Sequence, residues 1–115
     1  MKAINKIITS KKINKTCIVR FPGINKLNII NSGIIESEIL ELINSSNNRI
    51  VLDLQGIEFI DSTGFGVLLK LKKKASFKNI DLVLMYIRKE VLELFALLDL
   101  EYEFDLRKTT LKQAS

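Results

Sequence analysis

Residues 50–66 read Ile50-Val51-Leu52-Asp53-Leu54-Gln55-Gly56-Ile57-Glu58-Phe59-Ile60-Asp61-Ser62-Thr63-Gly64-Phe65-Gly66. The first five are apolar enough for a strand lying inside a sheet. Gln55 to Ile60 then connects, and Thr63 to about Phe77 has helical spacing with Val67, Leu68 and Leu71 inward. Asp61, Ser62 and Thr63 run directly into that helix, and each can accept from the unpaired amides of its first turn. Gly64 and Gly66 cost about 1 kcal/mol each relative to alanine, so another backbone or a partner is expected to approach there. Two readings of Ser62 stay open. It simply caps the helix, or it is a phosphorylation site, because a helix N-terminus seats a phosphate dianion.

Working outward, residues 3–9 and 16–21 read as strands, the second alternating Cys17, Val19 and Phe21 on one face before Pro22-Gly23 ends it. Residues 32–46 carry Ile34, Ile35, Ile39, Leu42 and Ile43 on one helical face, with Ser32 as the cap and Glu36, Glu38 and Glu41 outward. Residues 44–48 form a turn. Downstream come a strand over 80–86 and a helix over 88–99 with Val91, Leu92, Leu94, Phe95 and Leu98 as its stripe. A last strand covers 102–106, and Thr109 caps a short final helix. The order is β-β-α-β-α-β-α-β-α. It predicts an α/β domain, a mixed sheet with helices packed against it, over residues 1–115 as a single domain.

Composition excludes several chemistries. The 115 residues are 47% apolar and contain one cysteine and no histidine. Ser-His-Asp and Cys-His catalysis are therefore excluded, and no internal disulfide can form. The opening MKAINKIITSKK has no apolar h-region, so no signal peptide is expected, and no stretch is apolar enough for a membrane span. The net charge of +5 is local. The first twenty residues hold six basic side chains and no acid, while the other 95 hold 12 basic and 13 acidic ones. A basic face for nucleic acid is not expected from that distribution. Gly64-Phe65-Gly66 lacks the remainder of a phosphate-binding loop. Asp53 and Asp61 are a formal carboxylate pair but read as a strand-end residue and a cap. Cys17 reads as a small core residue, and Lys70, Lys72, Lys73 and Lys74 as a solvated helix end.

The strand Ile50–Leu54 followed by Phe59-Ile60-Asp61-Ser62-Thr63-Gly64-Phe65-Gly66-Val67-Leu68-Leu69 resembles the signature of the STAS domain, and bacterial anti-sigma factor antagonists in particular. The element order, the length, and Val91-Leu92-Glu93-Leu94-Phe95 followed by Leu98-Asp99-Leu100 fit as well. The resemblance implies a cytoplasmic phosphoprotein that regulates transcription by partner switching, with no catalysis and no cofactor of its own. Ser62 is the implied phosphorylation site. Asp61, Thr63, Gly64, Phe65, Gly66, Asn25 and Asn28 are the implied partner-binding residues. The implied partners are an anti-sigma factor that is also a serine kinase using ATP, and a serine phosphatase that resets the switch. No direct DNA binding is implied. Lys26 and Asn28 stand where the family commonly has acids, which removes negative charge from the rim near Ser62. STAS domains also serve as constitutive adaptors, for example of lipid-trafficking ABC transporters. A further reading takes the basic N-terminal segment as a tether to anionic lipid or RNA.

Overall fold

The computed structural model describes residues 6–106. Its elements run β1 (Thr9–Ile13), β2 (Thr16–Arg20), β3 (Lys26–Leu27), α1 (Ser32–Ile43), β4 (Arg49–Asp53), β5 (Phe59–Ile60), α2 (Ser62–Phe77), β6 (Asp81–Met85) and α3 (Lys89–Leu97). The main sheet has the order β1-β2-β4-β6. β1 and β2 form an antiparallel hairpin, whereas β2-β4 and β4-β6 are parallel pairs bridged by α1 and α2. The mixed α/β architecture anticipated above is thus present.

Burial follows from residue type. Ile50, Val51 and Leu52 are all buried, so both faces of β4 are covered. In β2 only Cys17 and Val19 are, as period-two alternation requires. Burial pushes the Cys17 thiol up from its ordinary value, which keeps it protonated and unreactive. Phe65 of α2 meets Phe95 of α3 edge-on at 4.9 Å, and Phe95 meets Phe104 at 5.6 Å. These three rings tie the C-terminal part of the chain to α2.

Several local expectations are corrected. The first strand lies at 9–13, not 3–9, although residues 3–5 fall outside the described part. The cause is Glu38, expected outward but buried. Its carboxylate accepts from the amides of Ile7 at 3.1 Å and Ile8 at 3.0 Å, which takes those amides away from the sheet. Ile34 and Leu98, expected inward, are exposed. Asn31, not Ser32, precedes α1, and the Ser32 hydroxyl is buried without a partner among the described residues. Residues 102–105 form turns instead of a strand, and Leu106 is helical. Leu106 donates to the Glu101 carbonyl at 3.0 Å, and Asp99 and Asp105 take positive φ. Phe104 and Leu106 reach the core from this segment, so their spacing of two mimics a strand. Thr109 and its helix lie outside the described residues.

Glu38 offers a direct test. Glu38→Ala leaves two shielded amides without an acceptor and should lower the unfolding free energy by about 1–2 kcal/mol. Glu38→Gln keeps one acceptor oxygen and should lose about half of that. Urea unfolding measures both, and a Glu38→Ala protein as stable as the parent would show that water satisfies the amides equally well.

Candidate functional site

Two short parallel strands build the site. β3 pairs with β5, Lys26 opposite Phe59 and Leu27 opposite Ile60. Each leads into a helix, β3 into α1 and β5 into α2, so the pairing sets the segment 28–31 beside the start of α2. Residues of only two-residue strands carry no periodicity, and their pairing was not foreseen.

Asp61 holds this junction together. One carboxylate oxygen accepts from the Gly64 amide at 2.8 Å, which caps α2. The other accepts from the Ile29 amide at 3.1 Å, on the separate loop. The Asp61 amide in turn donates to the Leu27 carbonyl at 3.0 Å. Asn28 shapes the same loop: its side-chain oxygen accepts from the Ile30 and Asn31 amides, and the Asn31 side chain accepts from the Asn28 amide. An asparagine therefore does the local capping work in this loop.

Ser62 and Thr63 follow the cap and are exposed. Their backbone amides have no acceptor among the described residues, so two donors at the positive end of a 16-residue helix point toward the surface. Around them stand apolar side chains that the sequence reading did not assign to the site: Ile29 is 73% exposed, Ile30 84% and Phe59 45%. A run of adjacent Ile29 and Ile30 between two polar asparagines was the available signal. Such exposed apolar groups beside a polar centre fit a protein-docking surface.

Of the expected partner-binding residues, the structure keeps Asp61, Thr63, Asn25 and Asn28 at the surface or its edge. Two others are buried. Phe65 packs against Phe95 in the core. Gly64 is buried as well, and its close neighbour is the chain itself: a Cβ there would lie 2.7 Å from the Leu27 carbonyl oxygen. Gly66 differs, because a Cβ on it would meet nothing within 4 Å. Asp53 is occupied elsewhere, bonded to Arg20 at 3.3 Å and to the Gln55 amide at 3.0 Å, so it forms no dyad with Asp61. Among the described residues no cluster of three or more His, Cys, Asp or Glu could hold a metal ion, and no helix is long and apolar enough to cross a membrane.

These elements together make an α/β domain with an exposed hydroxyl just after an aspartate-capped helix start. A family profile for the STAS domain matches residues 8–114, and the chain belongs to that family. No curated protein sequence shows significant similarity to it. Among solved structures, TM1081 of Thermotoga maritima, provisionally assigned as an anti-sigma factor antagonist, is 26% identical with a TM-score of 0.73, over 83% of this chain and 80% of that one. The phosphorylated form of the Bacillus cell fate determinant SpoIIAA is 16% identical with a TM-score of 0.63, over 83% of this chain and 86% of that one. Murine Slc26a9, an anion transporter, is 20% identical with a TM-score of 0.71, over 86% of this chain but 16% of that one. The last two likenesses concern the fold alone.

Proposed function

We propose that the chain is an anti-sigma factor antagonist whose binding to an anti-sigma factor is switched by phosphorylation of Ser62. The observation that carries this reading is the placement of Ser62. Its hydroxyl is exposed at the first turn of α2, next to a carboxylate already engaged by two backbone amides and beside the apolar side chains of Ile29, Ile30 and Phe59. In the unphosphorylated form that surface docks on the anti-sigma factor and releases the sigma factor. The anti-sigma factor, acting as a kinase, transfers the γ-phosphoryl group of ATP to the Ser62 oxygen; ADP leaves and the hydroxyl proton passes to the kinase. The phosphate brings a charge of about −1.5 to −2 into an apolar interface beside Asp61, where desolvation and repulsion weaken docking. The free amides of Ser62 and Thr63 accommodate the phosphate locally, so the switch acts at the surface without a rearranged fold. A serine phosphatase restores the docking form.

Incubation with ATP and a cognate anti-sigma factor kinase should add about 80 Da, the mass of one phosphoryl group, in intact-mass spectra. Ser62→Ala should abolish the addition. Ser62→Asp should weaken partner binding at least tenfold, the loss of about 1.4 kcal/mol that one misplaced interfacial charge readily exceeds. Full phosphorylation of Ser62→Ala would exclude the site.

The likeness to a transporter domain favours one alternative, a constitutive adaptor. An adaptor would take no phosphate, and Ser62→Ala and Ser62→Asp would then disturb its binding to similar extents.

A further inference from the structure

At the far end of α2, about 22 Å from Ser62 at 1.5 Å per residue, the helix ends on Phe77, which is 87% exposed. Shallow depressions flank this ring. One, about 670 Å³, is lined by residues including Leu69, Lys73, Phe77, Leu100 and Glu103. Another, about 350 Å³, opens on the side of Gly66, Lys70 and Lys74. Residues 66–78 hold five lysines and no acid. Lys70 is paired with Glu36 at 3.4 Å, and Lys72 donates to the Leu82 carbonyl at 3.2 Å. Lys73, Lys74 and Lys78 are exposed and have no acidic partner among the described residues.

A surface of the opposite kind adjoins it. Residues 93–105 hold five acids and no base. At the end of α3, Leu97 is 79% exposed and Leu98 51%. Leu100 and Glu103 of this segment border the Phe77 groove, so the cationic-apolar and anionic-apolar surfaces share an edge. The segments outside the described part, residues 1–5 and 107–115, carry only basic charges and have the wrong sign to cover the lysine row. An occupant must be acidic with apolar anchors, and the chain itself presents such a surface.

We propose that these adjoining surfaces form a self-complementary interface through which two copies of the chain associate. Phe77, Lys73 and Lys74 of one copy meet Leu97, Leu98 and the acids of the other, and a two-fold axis near the shared edge repeats the contact. Apolar side chains ringed by charges suit such an interface. Solvated ion pairs contribute little each, so association is weak and sensitive to salt. The site at Ser62 remains open in the pair, because it lies at the other end of α2.

Sedimentation equilibrium of the full chain at low ionic strength, from about 10 μM to about 1 mM, tests the proposal across the range of weak complexes. A monomer–dimer equilibrium is expected, weakening several-fold as salt is raised. Phe77→Ser should weaken it about tenfold without altering the thermal midpoint, since the ring is not in the core. A variant carrying Lys73→Glu and Lys74→Glu should be monomeric alone, as should one carrying Glu93→Lys and Asp99→Lys. Mixed in equal amounts, the two should dimerise, because one contact is then the native one and the other is restored with its signs exchanged. A parent chain that stays monomeric at about 1 mM overturns the proposal, as does association that the charge reversals leave unchanged. A monomer that binds phosphatidylglycerol vesicles through Phe77 also overturns it and assigns the surface to lipid.

Discussion

Phe95→Ala should lower the unfolding free energy by about 3–5 kcal/mol, the range for a large aromatic removed from a tight core. Phe95 is fully buried, and its ring lies edge-on between Phe65 and Phe104. Removal leaves a cavity that neither neighbour can close. Phe65 is held by the first turn of α2, and Phe104 by the turns that follow α3. The loss is a large part of the roughly 5–15 kcal/mol that keeps a domain folded. At about 4 °C per kcal/mol, the thermal midpoint should fall by 10 °C or more. Calorimetry would read this directly. A loss under about 1 kcal/mol would mean that α3 and the turns after it do not fold as one unit with α2.

The second large effect separates two glycines that look alike in the sequence. Gly64→Ala should cost about 2–3 kcal/mol, at the upper end for overpacking. The added Cβ would stand 2.7 Å from the Leu27 carbonyl oxygen and 2.8 Å from Cγ2 of Ile60. The first of these atoms is backbone held by the β3-β5 pairing, so relief requires moving a strand. Gly66→Ala should instead stabilise by about 0.5–1 kcal/mol, because the position is open and alanine is the better helix former. Parallel urea titrations of the two variants should therefore differ in sign. Equal behaviour would contradict the packing of β3 against α2. Gly66 also lies toward the groove near Phe77, so its alanine variant should be checked for self-association before its stability is interpreted.

How much of this was readable from the residues differs by element. Ile50–Leu54 announced a central strand because a strand covered on both faces needs no alternation. Asp61 announced a helix start because its side chain competes for exposed amides, and the structure has it doing so. Glu38 did not announce its burial. Helical periodicity assigns a carboxylate to solvent, and nothing local says that two amides thirty residues earlier need an acceptor. The family likeness grouped residues 61–66 into one contact surface, but a helix turns about 100° per residue. Ser62, Thr63 and Gly66 stay toward the outside, whereas Gly64 and Phe65 turn into the core. The apolar collar of Ile29, Ile30 and Phe59 was hidden for a related reason. Isoleucine and phenylalanine count as core until a structure shows them exposed.

The double use of the Asp61 carboxylate separates two evolutionary constraints by a single residue. Selection for folding alone would retain Asp61, which serves backbone on two segments, and Gly64, which has no room for a side chain. It would let position 62 drift, since the exposed hydroxyl there makes no hydrogen bond among the described residues. A serine retained at that position over long lineages would thus be a record of the partner and not of the domain.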